Sequence, residues 1–457
     1  MGERDQALGG EVGKRGCAVD RRDGAELGGR SSVDGDDDAL TVAGPPDRVG
    51  GVAAQITYAE FVHQSKCTSV YTYPIARIGQ AGQTLAMNFA FSEEQDELRK
   101  TVRAFLDAKS DEAAVRVQMD TEQGYDKAVW AQLAGELGLT GLVIPEEFGG
   151  SGYSWVELGV VLEEMGRSLL CAPFFSSAVL AAHTLLLSGD EHQKAAHLPG
   201  IAAGLTLATL AFTEPSGKWD EAGITMPATG SGSDYKLNGT KMFVLDGHIA
   251  DDIFVAARTA AGVSLFHVQG DAAGLTRTAL STMDQTRKQA KLEFNDVSAT
   301  LVGTDGDGWN VLSRVLDLAA VALAAEQVGG AQKVLDMAVE YAKVRVQFGR
   351  PIGSFQAIKH KCADMLLEVE SAKSAAYYAM WCASEMNEEL PSVASLAKAY
   401  CSEAYFHAAS ENIQIHGGIG FTWEHPAHLY FKRAKSSELL FGDPTYHREL
   451  LAQRIGL

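Results

Sequence analysis

The spacing of apolar and polar residues changes along the chain and predicts an ordered series of segments. Residues 87–204 carry apolar side chains at helical spacing. Ser92 is a capping residue with Gln95 three positions later, a pair typical of a helix N-terminus. Trp155–Leu170 predicts a second long helix in the same segment. We therefore expect an N-terminal helical domain over residues 87–204.

Residues 205–302 have a different pattern, with short runs rich in β-branched and aromatic residues. Asn238-Gly239 lies between two of these runs, and this dipeptide predicts the turn of a hairpin. The segment therefore predicts a small, mostly antiparallel β domain. The predicted strands are Thr206–Phe212, Tyr235–Leu237, Met242–Leu245, Ile253–Ala257, Val263–Val268 and Lys291–Phe294.

Residues 303–457 are helical again. Val311–Ala342 is long, alanine-rich and apolar on most sides, so we expect neighbouring helices to bury it. Three further helices are predicted at Phe355–Asn387, Pro391–His416 and His425–Gln453. The helical, β, helical order predicts an α+β fold in which a central antiparallel β domain lies between an N-terminal helical domain and a C-terminal four-helix bundle.

Residues 1–86 differ from the rest in composition. Glycine, aspartate and arginine dominate the first part, and little periodicity appears before about Phe61. Such a segment buries too little apolar surface to offset the entropy of ordering. We expect either an extension without regular structure that was wrongly assigned as coding sequence, with Met87 as the functional start, or a regulatory tail.

Composition and charge exclude several classes of partner. The formal net charge of −20 argues against nucleic acid or an anionic membrane surface. No stretch approaches the roughly 18 apolar residues of a membrane span, and the first residues lack the apolar region of a signal peptide. The six cysteines form no CxxC pair and show no metal-ligand spacing with histidine, which predicts free thiols in a cytoplasmic protein and no metal site.

Five short motifs follow one another in order along residues 87–457. They are Pro145-Glu-x-x-Gly-Gly150, Thr213-Glu-Pro215, Asn238-Gly-Thr-Lys-Met-Phe243, Arg345-Val-Gln-Phe-Gly349 and Gln414-Ile-His-Gly-Gly-Ile-Gly-Phe421. Each is weak alone, because a glycine-rich turn or an arginine near a helix end has many ordinary uses. Together, and with the basic run Phe431–Lys435, they resemble the acyl-CoA dehydrogenase family over essentially one whole subunit.

The resemblance implies FAD as cofactor and an acyl-CoA thioester as substrate. Arginine suits phosphate because its charged guanidinium donates in a fixed fork, and glycines let the backbone approach closely. In the family, Thr213 and Phe243 match residues on the flavin side of the site. The residues that match the adenosine-pyrophosphate half of a neighbouring subunit's FAD are Arg345, Gln347, Phe348, Gln356, Gln414, Gly417 and Gly418.

The flavin side departs from the family pattern. The family turn continues Glu-Pro-Gly-x-Gly-Ser-Asp, whereas this chain has Ser216 at the first glycine and Lys218 and Trp219 at the second glycine and the serine. The family strand reads Trp-Ile-Thr, with the threonine near the flavin. Here Phe243 retains an aromatic ring, but Leu245 has no hydroxyl and is more simply a core leucine.

Neither position that supplies the catalytic glutamate in the family holds a carboxylate here. Phe441 occupies the slot near the C-terminus, and Ala319 occupies the slot in the long helix, with Ala320 where an arginine is usual. The catalytic base is therefore unknown. Asp443, Glu438 and Glu326 are nearby substitutes, although Asp443 precedes a proline and is typical of a helix cap, and Glu326 is typical of a buried ion pair.

Three hypotheses follow from this pattern. The first is the base-lacking subunit of a heterotetrameric acyl-CoA dehydrogenase, a dimer of dimers like those that degrade steroid side chains and other bulky acyl-CoAs. It would work with a second acyl-CoA dehydrogenase subunit and with electron-transferring flavoprotein, although oxidases share the fold. The second is a self-sufficient homotetramer with a relocated base, Asp443 or Glu326. The third is a structural homologue without flavin.

Overall fold

The computed structural model describes residues 91–232 and 234–457. The predictions made for residues 1–86 lie outside this range, as do Cys17 and Cys67. Six helices precede the sheet: α1 (Glu93–Lys109), α2 (Glu112–Asp120), α3 (Lys127–Gly135), α4 (Trp155–Ser168), α5 (Ala182–Leu187) and α6 (Glu191–Ala202), with a π-helical turn at Phe175–Ala181 before α5.

Local signals in the sequence account for the first helix. Ser92 accepts a hydrogen bond from the Gln95 backbone (3.2 Å), and the Gln95 side chain accepts one from the Ser92 backbone (2.9 Å), which confirms the predicted capping pair. Val102 and Leu106 are fully buried on one face of α1. This face packs against α4, so the helix is held by both its cap and its apolar stripe.

A seven-stranded sheet follows in the order β1-β4-β5-β7-β3-β2, with β6 paired to β7. Among the strands in the described ranges, only β1 and β4 pair in parallel. β2 and β6 are mostly exposed strands that the sequence pattern did not predict. The strands are β1 (Ala208–Ala211), β2 (Ala228–Ser231), β3 (Asp234–Leu245), β4 (Asp252–Arg258), β5 (Val263–Gln269), β6 (Leu275–Ala279) and β7 (Gln289–Val302).

The hairpin predicted at Asn238-Gly239 is wrong. Both residues lie inside β3, which continues across an irregularity in its pairing with β7 between Leu237 and Gly239. The Asn238 side chain exchanges two hydrogen bonds with Asp296 of β7, at 2.8 and 2.9 Å. A dipeptide that suits a turn therefore serves a β-bulge, because the partner strand satisfies the asparagine amide.

The C-terminal part is helical, as predicted. α7 (Gly308–Val344) leads into the short strands β8 (Val346–Gln347) and β9 (Arg350–Pro351), and these are followed by α8 (Gln356–Ser384) and α9 (Leu390–His416). The single helix predicted at His425–Gln453 is two helices, α10 (Ala427–Leu439) and α11 (Pro444–Arg454). Pro444 has no backbone N–H and begins a new helix after the Asp443 cap.

α7 is the central helix of the bundle and packs against α4, α8 and α9. Its crossing with α4 is close because glycines lie at the contact. A Cβ at Gly166 of α4 would lie 1.9 Å from the Glu326 carbonyl oxygen, and one at Gly329 of α7 would lie 1.7 Å from that of Glu163. No helix in the described ranges is long and apolar enough to span a bilayer. The four cysteines of these ranges are free.

A buried ion cluster joins the sheet to the bundle. The loop between β6 and β7 supplies Asp284 and Arg287, α7 supplies Glu326 and α10 supplies Arg433. Arg433 donates to Asp284 (2.9 Å) and to Glu326 (2.9 Å), and Arg287 also pairs with Glu326. All four residues are less than a tenth exposed. We call these four residues the ion cluster.

Arg433→Met tests the contribution of the ion cluster to stability. The substitution leaves Asp284 without its cation in a buried site, so we expect a loss of about 3–5 kcal/mol in the free energy of unfolding. Arg448→Met is the matched control, because Arg448 pairs with Glu403 at the surface and its loss costs about 1 kcal/mol or less. Urea unfolding compares the two variants, and equal losses would contradict a structural role for the cluster.

Candidate functional site

Four aromatic rings meet where α10 ends and the sheet begins. Phe441, in the turn between α10 and α11, stacks on Phe175 (5.8 Å between centroids) and on Phe212 (6.3 Å). Trp219 meets Phe441 edge-on at 6.3 Å and Phe212 at 5.7 Å. Phe441 is only 5% exposed. We call Phe175, Phe212, Trp219 and Phe441 the aromatic cluster.

A buried lysine binds the backbone of the turn that carries Phe441. Lys398 of α9 donates three hydrogen bonds of 3.0 Å, to the Ser402 hydroxyl and to the backbone carbonyls of Glu438 and Gly442. Phe441 has a φ of 61°, a left-handed conformation that is rare for an aromatic residue. The lysine contacts on both sides of Phe441 hold the turn in this conformation, so the ring points into the aromatic cluster.

The altered turn after β1 supplies the fourth ring. Thr213 and Glu214 are buried, whereas Ser216 and Lys218 are exposed. The Glu214 carboxylate accepts hydrogen bonds from the Lys241 ammonium (2.8 Å) and from two backbone N–H groups of the segment after the turn. Of the two bulky replacements predicted to alter the site, Lys218 points to solvent and Trp219 packs inward.

The buried Glu214–Lys241 pair fixes the start of this turn against β3. Burial lowers the pKa of Lys241 to about 8, and the adjacent Glu214 carboxylate opposes that shift. Burial alone would raise the pKa of Glu214, but Lys241 and the hydrogen-bond donors around it hold the pKa below its usual value. Both groups are therefore charged at neutral pH, and the motif Thr213-Glu-Pro215 has a structural role.

The end of β3 carries the residues expected beside a flavin. Phe243 is 48% exposed and has a left-handed backbone at a register shift of the strand, so its side chain is partly open to solvent. Leu245 is 3% exposed and belongs to the main hydrophobic core. The simple interpretation of Leu245 as a core leucine agrees with this packing.

The residue that follows β3 is a carboxylate that no sequence motif indicates. Asp246 accepts a hydrogen bond from the Ser176 hydroxyl (2.6 Å) and borders a cavity of about 30 Å³, roughly the size of one water molecule. Burial raises the pKa of Asp246 to about 6, although Ser176, Arg287 and Arg433 act in the opposite direction. Only its position beside Leu245 could have drawn attention to it in the sequence.

The positions that hold a base in the family are closed to water. Ala319 is fully buried inside α7, and Phe441 is in the aromatic cluster. No side chain at these positions accepts a proton. Both slots therefore hold buried hydrocarbon side chains, and the catalytic base stays unassigned.

The substitute carboxylates near these slots are already engaged. The Asp443 side chain caps α11 by accepting a hydrogen bond from the Tyr446 backbone (2.8 Å). Glu326 lies in the ion cluster, and Glu438 pairs with Lys435 (2.9 Å). The cap at Asp443 and the ion pair at Glu326 are the structural roles expected for these residues.

A second surface lies at the ends of α7 and α9, where Tyr341 stacks on His416 with their rings 4.2 Å apart. The predicted adenosine-side residues are all exposed there, and in the described part of the chain their polar side chains have no hydrogen-bond or ion-pair partner. We call this set the exposed arm. Its members are Arg345, Gln347, Phe348, Gln356, Gln414, Gly417 and Gly418.

The exposed arm has the chemistry of an anion and aromatic binding surface. Phe348 is 91% exposed on the β8–β9 hairpin, and a Cβ added at Gly417 or Gly418 would meet no atom within 4 Å. A guanidinium, amide side chains and open backbone together suit a pyrophosphate and an adenosine. These residues have the chemistry that suits that half of FAD. The aromatic cluster contains Trp219 and Phe441, two of the positions at which this chain departs from the family pattern.

Comparison with known families matches three consecutive segments. Residues 92–205 match acyl-CoA dehydrogenase, N-terminal domain, residues 209–297 match the middle domain, and residues 306–456 match the C-terminal domain. Acyl-CoA dehydrogenase IpdE2 of Mycolicibacterium smegmatis is 38% identical over 353 residues, covering 77% of this chain and 96% of the relative. IpdE2 of Mycobacterium tuberculosis is 36% identical over 362 residues, covering 79% and 95%.

Solved structures share the fold. Butyryl-CoA dehydrogenase from Megasphaera elsdenii superposes with a TM-score of 0.76 at 28% identity and covers 81% of this chain and 100% of that chain. The ChsE4–ChsE5 complex from Mycobacterium tuberculosis gives a TM-score of 0.75 at 29% identity over 81% and 99%. The chain therefore belongs to the acyl-CoA dehydrogenase family of flavoprotein oxidoreductases.

Proposed function

We propose that this chain is the base-lacking subunit of a hetero-oligomeric acyl-CoA dehydrogenase. It would bind FAD at a mixed interface with a second family subunit that retains the glutamate. The observation that carries the proposal is the aromatic cluster, in which Phe441 takes the place of the base and packs against three other rings. The substrate class is an acyl-CoA thioester, and the proposed electron acceptor is electron-transferring flavoprotein.

The aromatic cluster argues against a productive site in this subunit. Removal of a weakly acidic α-proton needs a carboxylate close to the acyl carbon. Phe441 offers only a ring at that position, and Trp219 packs where the family has a small glycine-rich turn beside the thioester. Opening the cluster would expose aromatic rings that each bury about 150–250 Å². The closed arrangement is therefore the stable one.

The exposed arm supports a role at a neighbour's cofactor. Arg345 is free to pair with a pyrophosphate oxygen, and Gln347, Gln356 and Gln414 are free to donate from their amides. Phe348 presents a ring that can stack on adenine. FAD bound there supplies the hydride acceptor for the dehydrogenation. The part played by this chain is to hold and orient the nucleotide end, while the partner subunit holds the reacting acyl group.

The similarity to heteromeric relatives adds weight to this assembly. One solved neighbour is the ChsE4–ChsE5 complex, in which two different gene products associate. A self-assembling chain would be expected to keep both halves of its site, since each subunit must serve its own substrate and its neighbour's cofactor. Here the aromatic cluster is closed, whereas the exposed arm is open. We expect this pattern when one chain holds the acyl group and a different chain holds the nucleotide end of FAD.

The test is FAD content and turnover with and without a partner. The full chain purified alone should contain much less than one FAD and should not oxidise acyl-CoA substrates. Co-purified with a glutamate-retaining family subunit, it should form a complex with FAD. In that complex Arg345→Ala should weaken FAD binding about 10–100-fold, because a hydrogen bond to a charged group is worth about 1.5–3 kcal/mol.

Arg314→Ala is the matched control, since Arg314 is an exposed arginine on the outer face of α7. It should leave FAD content unchanged. A homomer that holds one FAD per chain and turns over an acyl-CoA would refute the division of duties. Equal FAD loss from Arg345→Ala and Arg314→Ala would show that the exposed arm does not hold the nucleotide.

A second candidate function rests on Asp246. It is a self-sufficient dehydrogenase in which this carboxylate, rather than Asp443 or Glu326, is the base. Asp246 lies next to the strand end expected to face the flavin, borders a cavity, and has a pKa raised to about 6 by burial. A base of that pKa is basic enough to act at neutral pH.

Asp246→Asn distinguishes the two candidates in a homomeric preparation that turns over. If Asp246 is the base, the variant should lose about 10²–10⁴-fold in kcat with FAD content retained. The activity of the unsubstituted chain should rise with pH through about 6 as the Asp246 carboxyl loses its proton. Asp271→Asn, at an exposed turn, is the control. Unchanged turnover in Asp246→Asn would eliminate this candidate.

The ionisation of Asp246 also makes stability depend on pH. Its pKa is higher in the folded chain than the ordinary value of 3.8, so the folded state holds the proton more tightly. Stability should therefore fall as pH rises from about 4 to 6 and change little above that range. Relative to Asp246→Asn, the unsubstituted chain should lose about 2 kcal/mol across this window.

Urea unfolding at pH 4 and pH 7.5 measures this difference. The comparison with Asp246→Asn is needed because burial also raises the pKa of Asp317 to about 6, and that group is common to both proteins. A difference between the two proteins that is the same at both pH values would show that Asp246 is ionised normally in the fold.

A further inference from the structure

A cluster of histidine and aspartate side chains lies apart from both the aromatic cluster and the exposed arm. His197 comes from α6, Asp252 begins β4 and His267 lies on β5. In the antiparallel register, Phe254 pairs with His267 and Asp252 with Gln269, so Asp252 and His267 are diagonal neighbours on one face of the sheet. His197 of α6 reaches this face, where its ring lies against Phe254 and His267.

The three side chains converge on a small volume. The two carboxylate oxygens of Asp252 lie 2.8 Å from His197 Nδ1 and 2.8 Å from His267 Nε2. The three potential ligand atoms all lie within 4.8 Å of one another. The geometry therefore gathers two imidazole nitrogens and one carboxylate in a single small volume.

We propose that His197, Asp252 and His267 form a binding site for one divalent transition-metal ion, with Zn²⁺ as the best fit. Two imidazoles and one carboxylate are a ligand set that Zn²⁺ accepts, and three protein ligands leave a fourth position for water. Zn–N and Zn–O bonds of about 2.0–2.1 Å on tetrahedral geometry separate ligand atoms by roughly 3.3 Å. The 2.8 Å contacts therefore need to open by about half an ångström, and any ligand atoms as far apart as the 4.8 Å limit need to approach by about 1.5 Å.

The position of the site indicates what the ion would do. His197 belongs to the N-terminal helices, while Asp252 and His267 belong to the sheet, so one ion would crosslink the two parts. Its side chains are only 9–13% exposed, so a bound ion would be largely shielded from solvent. Each neutral imidazole would bind the ion through the nitrogen that now faces Asp252 and carry its proton on the other ring nitrogen, so binding requires a change of tautomer. The role is structural and is independent of the proposed function.

The competing state is a triad without metal, in which each imidazole donates one hydrogen bond to Asp252. The two states predict different binding of Zn²⁺. The metal site predicts one tight equivalent per chain that depends on all three side chains, whereas the triad predicts none. Phe254 contacts both imidazole rings and limits their rotation, which favours a fixed ligand geometry in either state.

The experiment uses the full chain without an affinity tag, dialysed against chelator. ZnCl₂ is titrated by calorimetry and CoCl₂ by visible absorption, which reports four-coordinate cobalt. One equivalent should bind and raise the midpoint of thermal unfolding. His197→Ala and His267→Ala should each weaken binding at least about 100-fold, beyond the 10–100-fold typical of outer-shell changes. Asp252→Asn keeps the shape of the side chain and should also weaken it.

His192→Ala is the matched control, because His192 is an exposed histidine on the same helix as His197. It should bind Zn²⁺ like the unsubstituted chain. Absence of a cobalt spectrum, or the same Zn²⁺ affinity in His192→Ala and His197→Ala, would overturn the proposal and leave the hydrogen-bonded triad. Asp252→Asn separates loss of the ion from loss of the fold, because it keeps the shape of the side chain. A folded Asp252→Asn variant should still bind Zn²⁺ more weakly than the unsubstituted chain.

Discussion

The need to pair buried charges determines how the sheet and the helical bundle of this chain pack together. The ion cluster places two arginines and two carboxylates in the interior, where an unpaired charge would cost several kcal/mol. Its members come from the β6–β7 loop, α7 and α10, so the pairing can be completed only when the sheet and the bundle meet in one arrangement. That arrangement fixes the end of α10, and the following turn then carries Phe441 towards Trp219.

Much of this architecture can be predicted from the sequence, because local signals and burial act together there. The alanine-rich run in α7 is a buried central helix, and Ser92 caps α1 as expected. The errors have physical causes. Asn238-Gly239 was predicted as a turn, but Asp296 on a neighbouring strand satisfies the asparagine and the strand continues. β6 was missed because its exposed residues carry no apolar alternation.

The candidate sites could be predicted from the sequence to different degrees, depending on whether their residues are close together along the chain. The exposed arm could be identified from contiguous motifs such as Gln414–Phe421, because its chemistry is local in sequence. Asp246 and the cluster of His197, Asp252 and His267 could not, because their properties arise when separate segments meet. A carboxylate acquires a raised pKa from its burial, and a ligand set acquires its shape from strand register. Neither the raised pKa nor the shape of the ligand set can be predicted from one continuous segment of the chain.

The two substitutions that close the flavin side depend on each other. In a chain that had Phe441 but kept the glycine-rich turn, one edge of the phenyl ring would be uncovered. In a chain that had Trp219 but kept the glutamate base, the indole would lie against the carboxylate. Once both rings pack with Phe212, returning a glutamate to position 441 would bury a carboxylate among aromatic faces, at a cost of several kcal/mol. A single reversal is therefore unfavourable. This coupling would make the proposed loss of the base stable. The exposed arm shares no contact with these rings in the described residues, so it would remain open to serve another subunit under the same proposal.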